Sequence, residues 1–457
     1  MKTRIFNSHP FYDINRQENL TAELPRKKGV IYRFLRHPLL RPYHRLALFV
    51  FAINTAVFYQ LSQNISLLEH NISGPTLLSF TLANFGVGIF IRQQQVINLL
   101  FKVATSAPKG WPLSVRWALG KVYHFGGVHV GGYFSGTLWF GVFIATAIFK
   151  PFESFVVPNS VKTVGLFHLA LLSSIMYVAL PKFREAHHNT FEKVARFGNW
   201  TSLLLFWYQA FHLVAANQQG SNLFVEIVRA PELWVLTSLT LFVALPWLRL
   251  RKVSLNSISP SGHVAISKFD YGVTPFAGSS TDLSLNPLLE WHSFANIPSP
   301  KKTGFRLCIS RAGDWTGEYI DKRPKHIWVK GVPVAGVGNI ELLFKRVVWV
   351  ATGSGVGPCI PHLLDQKVPS QLIWSTKSPR ETYGDHLVNE ILEAQPNTKI
   401  WDTSKLGRPN LVELALKVLL EFDAEAVIVI SNKKLTFHLN YELESRGIPC
   451  FGAIWDS

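Results

Sequence analysis

A glycine-rich turn is the part of this sequence best suited to holding a phosphate group. Residues 347–351 form an apolar run that leads into Thr352-Gly353-Ser354-Gly355-Val356-Gly357-Pro358. Glycines let a backbone approach a pyrophosphate, and the N-terminus of a following helix supplies free N–H groups and a positive dipole. An ordinary turn between a strand and a helix has the same composition, so the motif by itself is a weak signal.

Two basic residues follow the next apolar run, 371–375. Lys377 and Arg380 stand where a dinucleotide bound at the glycine turn would place a 2′-phosphate, and either side chain could pair with that group. The sequence therefore favours NADPH over NADH as the cofactor.

Composition limits the class of protein. The chain has 457 residues, of which 48% are hydrophobic and 13% aromatic, and this excludes a disordered protein. Residues 1–248 hold 22 Lys/Arg and 9 Asp/Glu, so most of the net charge of +17 lies in this half. Basic residues that flank apolar runs more often contact anionic lipid than nucleic acid, so we expect a lipid bilayer and no nucleic acid as partner.

Six apolar stretches approach the roughly 20 residues needed to cross a bilayer. They lie at 46–62, 76–100, 127–149, 161–181, 200–217 and 232–250. Basic residues concentrate at 1–45, 92–121 and 182–196, which predicts a multi-pass integral membrane protein with both termini cytosolic. No cleavable signal peptide is visible, so the first helix is expected to direct its own insertion. Glycosylation sequons at Asn64 and Asn71 would face outward.

The residue pattern of the C-terminal half changes twice along the chain. Short β-like runs broken by Gly, Pro, Ser and Asn follow residue 251, and from about residue 345 apolar runs alternate with helical patterns. Its three cysteines, Cys308, Cys359 and Cys450, lack metal-ligand spacing and suit a reducing, cytosolic setting. We expect a basic segment at 1–45, six transmembrane helices at 46–250, a β-barrel at 251–344 and an α/β domain at 345–457.

Two segments of the predicted barrel carry a resemblance to a known family. Trp291-His292-Ser293-Phe294-Ala295-Asn296-Ile297-Pro298-Ser299 is similar to the flavin-binding signature of ferric reductases and NADPH oxidases. Residues 309–316 and 447–457 resemble the TmpA-like integral membrane oxidoreductases of fungi, within the same superfamily. The resemblance covers about residues 120–457 and implies a ferredoxin-reductase-like module, in which the barrel binds FAD and the α/β domain binds NAD(P)H.

The resemblance also implies roles for individual residues. The isoalloxazine and ribityl chain of FAD would be lined by His292, Ser293 and Phe294. Its pyrophosphate would be met by Ser310, Arg311, Gly313 and Thr316. The nicotinamide dinucleotide would be cradled by Gly353, Ser354, Gly355 and Gly357, flanked by Thr352 and Pro358. Trp455 would cover the flavin ring, so Trp455 and His292 are the candidate catalytic residues.

Some of these residues have a purely structural alternative. Phe294 could be barrel core, Arg311 a solvated strand residue and Trp455 a packed chain end. The sequence also departs from the ferric-reductase pattern, because Ser431-Asn432 follows the run 426–430 where those proteins usually have Cys-Gly beside the nicotinamide. The geometry of hydride transfer at that position is therefore open.

Haem is a candidate cofactor because the membrane relatives hold two b-type haems with histidines spaced about a dozen residues apart on the third and fifth helices. This sequence lacks that spacing. The remaining haem-iron candidates are His129 with His188, or the neighbouring His187, and His168 with His212. A glycine face on the third helix could admit a porphyrin edge or simply let helices approach; its members are Gly127, Gly131, Gly132 and Gly136.

The leading hypothesis is a membrane-bound flavoprotein oxidoreductase. It would pass electrons from NAD(P)H through FAD to a small-molecule or membrane-associated acceptor, with haem as a candidate carrier. The alternative is a non-catalytic membrane protein for signalling or redox sensing, with a degenerate reductase module. A transporter has little support because few charges lie within the predicted spans.

Overall fold

The chain folds into a helical part, an antiparallel sheet and a parallel sheet, in that order. The computed structural model describes residues 24–63, 72–218, 222–299 and 302–453. The helices of the first part are α1 (Val30–Phe34), α2 (Pro42–Gln63), α3 (Gly74–Phe90), α4 (Gln94–Thr105), α5 (Leu113–Leu119), α6 (Gly126–Phe149), α7 (Asn159–Val178), α8 (Pro181–Ala186), α9 (His188–Ala216), α10 (Leu223–Arg229) and α11 (Pro231–Ala244).

The antiparallel sheet has seven strands in the order β4-β3-β7-β1-β2-β6-β5. Its strands are β1 (Arg251–Ser261), β2 (Val264–Phe269), β3 (Ser279–Ser284), β4 (His292–Ala295), β5 (Ile297–Pro298), β6 (Phe305–Ser310) and β7 (His326–Ala335). The sheet curls until β4 lies against β6, so it forms a barrel around its own core. Helix α12 (Asp314–Lys322) closes one end of that core with Trp315, Tyr319 and Ile320. The predicted barrel is confirmed.

The parallel sheet has five strands in the order β10-β9-β8-β11-β12. They are β8 (Val347–Thr352), β9 (Ser370–Thr376), β10 (Lys399–Asp402), β11 (Ala426–Ile430) and β12 (Cys450–Gly452). Six helices accompany them: α13 (Val356–Asp365), α14 (Pro379–Tyr383), α15 (Asp385–Ala394), α16 (Thr403–Leu406), α17 (Leu411–Glu421) and α18 (Lys433–Glu444). Strand order reverses between β8 and β11, which makes their carboxyl ends the usual place for a ligand in such a sheet. The predicted α/β domain is confirmed.

Four helical segments of the described residues are long and apolar enough to cross a membrane. They are Pro42–Gln63, Leu113–Phe149, Asn159–Val178 and Pro231–Arg249. The pair α3 and α4 would add a fifth, although the two helices meet at a bend of 69°. Helix α9 is not among them, since polar residues such as Gln209 and His212 interrupt its apolar half. Length and composition therefore support four or five spans where the sequence predicted six.

The predicted span 76–100 divides because its second half packs on the barrel. Gln94 Oε1 accepts a hydrogen bond from the Val332 backbone N–H, and Asn98 Oδ1 accepts one from Ala335. On the same face of α4, Ile97 and Phe101 join the core beneath the parallel sheet. These contacts hold one face of an amphipathic helix against the two sheets, so α4 leaves the direction of α3.

The basic connections of the helical part contact the two sheets. The buried Arg116 guanidinium binds Glu425 bidentately, with N–O distances of 2.6 and 2.9 Å, and also donates to the Leu343 carbonyl. Lys121 pairs with Glu444. These ion pairs attach the connection before α6 to the parallel sheet, so the helical part and the α/β domain share a buried interface.

The glycine face of α6 is filled by neighbouring helices. A Cβ atom on Gly131 would lie 2.8 Å from the Ala47 carbonyl oxygen of α2. On the adjacent side, a Cβ on Gly132 would lie 2.7 Å from the Asn84 carbonyl oxygen of α3. Of the two readings of this face, close helix approach is therefore the one that the structure shows.

Candidate functional site

The glycine turn lies at the carboxyl end of β8, in the middle of the parallel sheet. Gly353 has a φ of +51°, a left-handed conformation that side chains other than glycine rarely adopt. Its carbonyl accepts a 2.9 Å hydrogen bond from the indole of Trp374 on β9. Helix α13 starts at Val356, directly after the turn, so its N-terminal amides point toward the same edge.

Of the other two motif glycines, Gly355 is required by packing within the protein and Gly357 is not. A Cβ on Gly355 would lie 2.9 Å from the Ile430 carbonyl carbon at the end of β11, and closer still to its oxygen. A Cβ on Gly357 would lie 3.5 Å from the Cβ of Cys308 on β6, an ordinary contact. The backbone of Ile430 on β11 therefore explains why residue 355 is a glycine. That both glycines cradle the dinucleotide stays a prediction, and the exposed residue of the turn is Ser354.

Two hydroxyls meet at the point where strand order reverses. Thr352 ends β8, Ser431 follows β11, and their oxygens share a 2.5 Å hydrogen bond. Ser431 occupies the position at which the sequence departs from Cys-Gly. The pair holds the two strand ends together and presents hydroxyl groups where a ligand in the crevice would lie.

Tyr383 is a site residue that the sequence did not reveal. It ends α14, it is 3% exposed, and its hydroxyl would lie 3.7 Å from a Cβ on Gly353. Burial raises the pKa of this phenol, with the Cys308 thiol of β6 acting in the same direction, so Tyr383 stays protonated and can donate. No local pattern marks it, because its neighbours come from three separate segments.

The two candidate 2′-phosphate ligands differ in their surroundings. Lys377 directly follows β9 and is exposed. Arg380 instead donates to Asp385 at 2.6 Å and to Asn389 at 2.8 Å, both on α15. Lys377 is therefore the better placed of the two to meet a phosphate.

An aromatic cluster surrounds the predicted flavin strand. The ring of His292 on β4 lies 4.4 Å from the indole of Trp315 on α12, and the ring of Phe294 stacks on the same indole at 5.7 Å. Phe294 also packs against the barrel core, so its structural alternative is supported. Ser293 between them is exposed. Trp315 was not singled out from the sequence.

His292 carries a buried polar atom with no hydrogen bond among the described residues, namely Nε2. The nearest acid, Glu290, lies 3.8 Å away. Burial, together with the charges of His188 and Arg196, lowers the pKa of His292 to about 4, so the imidazole is neutral near pH 7. An unpartnered nitrogen beside an aromatic cluster is a suitable contact for a flavin ring.

The loop before α12 is largely satisfied by its own side chains. Arg311 binds Asp321 bidentately at 2.5 and 3.1 Å, and its Nε donates to the Gly262 carbonyl. Thr316 Oγ1 accepts from the backbone N–H groups of Ala312 and Gly313. A pyrophosphate at this loop would have to take Arg311 from Asp321, although the space beside Gly313 is open. Ser310, the fourth predicted contact, is half-buried at the end of β6.

The barrel and the parallel sheet meet beside the glycine turn. Gly357 approaches Cys308 of β6, and Arg306 of the same strand binds Glu390 on α15 at 2.5 Å. Burial raises the pKa of the Cys308 thiol to about 12, so this cysteine is an uncharged packing residue. Pro358 lies in the first turn of α13 at the same junction. The nucleotide turn and the flavin strand thus belong to domains that contact each other at this place.

Helix α8 and the first turns of α9 reach both domains. Arg196 donates to the Leu288 carbonyl just before the flavin strand, at 3.3 Å. Glu185 pairs with Lys433, two residues after Ser431. The segment 185–196 therefore lies where the two candidate cofactor sites meet the helical part.

The helical part gives no support for haem. His129 Nδ1 bonds the Gly88 carbonyl of α3 at 3.0 Å, beside the filled glycine face. His188 lies at the start of α9, 3.6 Å from Glu192. His168 is fully buried between the rings of Phe140 and Phe206, and His212 is exposed against Tyr208. Each proposed ligand is held by a neighbour other than its supposed partner, and the described residues contain no cluster of three or more metal-binding side chains.

Trp455 lies outside the described residues, as do Asn64 and Asn71. The predicted flavin cover and the two sequons therefore have no structural outcome. Cys450 and Phe451, just before the chain end, are buried in β12 and its surroundings.

Comparison with known proteins gives one consistent similarity. Residues 337–457 match the family model "Adenylate-forming reductase 03009, C-terminal domain". The chain is 42% identical to adenylate-forming reductases 06235 and 03009 of Coprinopsis cinerea, over 96% and 94% of its length. It covers only 42% of the length of each relative.

Solved structures resemble part of this chain at low identity. A ferredoxin-NADP+ reductase from Neisseria gonorrhoeae with bound FAD and NADP is 13% identical, over 45% of this chain and 98% of that one, with a TM-score of 0.35. The corresponding enzyme from Plasmodium falciparum is 12% identical, over 45% and 95%, with a TM-score of 0.36.

These similarities correct the functional hypothesis. The expectation of a membrane-bound electron-transfer flavoprotein of the ferric-reductase type, with a redox sensor as alternative, is wrong, because the relatives at 42% identity and the matching family model are adenylate-forming reductases. The resemblance to TmpA-like proteins rests on the quoted motifs alone.

Proposed function

We propose that this chain is the reductase part of an enzyme similar to the adenylate-forming reductases. In this proposal NAD(P)H binds at the glycine turn and a flavin binds against the barrel. The observation that carries it is the placement of the turn, with its left-handed Gly353, at the reversal of strand order and against the edge of the barrel.

The residues of the turn have separable tasks. The α13 N-terminus and the exposed Ser354 would hold the pyrophosphate, because free amides and a helix dipole favour an anion. Thr352 and Ser431 would orient the nicotinamide end through their shared hydroxyl pair. Lys377 would bind a 2′-phosphate, which makes NADPH the preferred dinucleotide.

The barrel residues would seat the flavin. His292 offers an unpartnered Nε2, and Trp315 with Phe294 supplies an aromatic wall. A flavin held there would supply the chemistry for accepting a hydride from the nicotinamide and passing electrons to the substrate. The close approach of Gly357 to Cys308 would hold the two cofactor sites in a fixed position relative to each other.

The relatives' name indicates the class of substrate. A protein that forms an adenylate activates a carboxylic acid, and the chain covers less than half of each relative. We therefore propose that the reducing equivalents serve an acid-derived substrate that is activated by a separate adenylating unit. The reductase part would then need no membrane acceptor.

Flavin bleaching tests the hydride step. Purified protein loaded with FAD and then treated with NADPH without oxygen should lose its flavin absorbance. His292→Ala should lower the amount of FAD retained, whereas His263→Ala, at an exposed turn of the barrel, should leave it unchanged. An FAD-loaded wild-type protein that neither NADPH nor NADH reduces would exclude the proposed reaction.

We also propose that the apolar helices, with α3 and α9 crossing beside the four candidate spans, lie in a lipid bilayer with the sheets on the cytosolic side. All three basic segments contact the sheet domains, since Lys27 pairs with Glu442, Arg116 with Glu425 and Glu185 with Lys433. Exposed apolar residues surround the entry to α2: Val30, Ile31, Phe34 and Leu39 are 64–78% exposed. Such residues among arginines suit a membrane surface.

Cysteine labelling tests this orientation. A cysteine near Asn159, at the start of α7, should react with an impermeant reagent on intact cells. A cysteine near Lys193, in the second turn of α9, should react only after the cells are opened. The reverse pattern would exclude the orientation.

A further inference from the structure

A cavity of about 290 Å³ lies within the helical part, between α3, α9 and α11. Its walls are mostly apolar and include Leu82, Phe206, Leu213 and Leu236. At 1.5 Å per residue, Gln209 on its wall is about 30 Å along α9 from His188, which lies near the flavin strand. The cavity is therefore separate from the candidate cofactor sites.

One buried polar group stands out in this wall. Gln209 is 3% exposed and lines the cavity, and its Nε2 donates to Nδ1 of His168 at 3.2 Å. That bond leaves the amide oxygen of Gln209 with no hydrogen bond among the described residues. An amide oxygen in a mostly apolar cavity wall can accept a hydrogen bond, so a ligand that donates one would be favoured.

The arrangement behind Gln209 is built to hold the amide in place. His168 is fully buried, and its ring lies 4.4 Å from Phe206 and 5.0 Å from Phe140. Because Nδ1 accepts from Gln209, the ring proton belongs on Nε2, which has no partner among the described residues. The histidine therefore fixes which end of the amide is available to a ligand.

Charged residues line the cavity only from α10 and the first turn of α11, where Glu226, Arg229 and Glu232 lie. The walls that α3 and α9 supply offer no counter-charge to an ion, and burying an unpaired charge is costly. An apolar cavity of about 150 Å³ holds a benzene ring, so this cavity is large enough for a bicyclic molecule. These features select an uncharged, mostly apolar ligand.

We propose that this cavity is a binding site for a small lipophilic alcohol or phenol, whose hydroxyl donates to Gln209. Its apolar body would contact Leu82, Phe206 and Leu236. The site is independent of the proposed reductase reaction, so its test does not use turnover.

Two probe molecules of nearly equal shape, one with a hydroxyl group and one with a methyl ether, test whether the ligand donates a hydrogen bond to Gln209. 1-Naphthol and 1-methoxynaphthalene should be titrated into the detergent-purified full chain by calorimetry. We expect saturable binding of 1-naphthol, about five-fold tighter than its methyl ether, because a neutral hydrogen bond contributes about that factor. In Gln209→Leu the preference should disappear. Equal affinity of the two probes for the wild type would overturn the proposal.

Filling variants test the location. Ala210→Phe on α9 and Leu236→Phe on α11 enlarge opposite walls and should each weaken 1-naphthol binding at least ten-fold. Ala215→Phe, an exposed position on α9, is the matched control and should bind like the wild type. Retained binding in both filling variants, or absence of saturable binding in the wild type, would exclude the site. Circular dichroism verifies folding, and the probe pair decides the matter if a filled variant does not fold.

Discussion

Gly355→Ala distinguishes a glycine required by packing from one required by a ligand. The added methyl would lie 2.9 Å from the Ile430 carbonyl carbon and 3.2 Å from its Cγ2, with the carbonyl oxygen closer still. Ile430 is held by its pairing with Ala351 on β8, so the obstacle is backbone that cannot rotate away. Overpacking of this kind costs about 1–3 kcal/mol, and we expect the upper end.

The measurement is denaturant unfolding of the detergent-purified protein, followed by tryptophan fluorescence. Trp349 and Trp374 are fully buried in the parallel sheet and report on that domain. Gly357→Ala is the matched control, because its Cβ would make an ordinary 3.5 Å contact and should leave the midpoint within error. A Gly355→Ala protein with wild-type stability but weakened NADPH binding would refute the packing explanation. It would indicate instead that the ligand requires this glycine.

The other predictions concern the dinucleotide, the domain interface and pH. Lys377→Ala should raise the KM for NADPH about ten-fold and leave the KM for NADH unchanged. Arg380→Ala should have less effect, because Asp385 already binds the Arg380 side chain. An equal rise in KM for both dinucleotides in steady-state kinetics would exclude the 2′-phosphate role. Arg116→Met should destabilise the protein by about 3 kcal/mol, since it leaves Glu425 without its bidentate partner, and a thermal midpoint like that of the wild type would contradict this. The lowered pKa of His292 implies stability that is present above pH 6.5 and lost as pH falls toward 4, by up to about 1.4 kcal/mol per pH unit. His292→Gln should flatten the stability profile in that range, and an unchanged slope would argue against a neutral buried imidazole.

The turn and the strands around it were predictable because their signals are local. An apolar run before Gly353 and a helical pattern after it suffice to place a βα unit, whatever the rest of the chain does. The same holds for the barrel and for the order of the domains. Hydrophobic content likewise identified α2, α6 and α7 as apolar helices, since each is long and carries few charges.

The tasks of individual residues were less predictable, since they depend on contacts between distant segments. Gly355 reads as a ligand glycine until Ile430 is found against it, 75 positions later in the chain. Tyr383 has no motif, yet its hydroxyl lies beside Gly353. His129 reads as a metal ligand by its surroundings in sequence, and the Gly88 carbonyl that binds it comes from another helix.

The sequence by itself determined the order of the three structural parts and the place of the glycine turn, because periodicity and turn chemistry act over a few residues. Only the tertiary structure decided that α4 leaves the membrane-like helices, since Gln94 and Asn98 find partners on β7 more than 230 positions away. The tertiary structure also decided that neighbouring helices fill the α6 glycine face, that the histidines contact residues other than haem partners, and that a cavity lies beside Gln209. Each of these depends on which helix packs against which, and that choice is made by the whole hydrophobic surface at once.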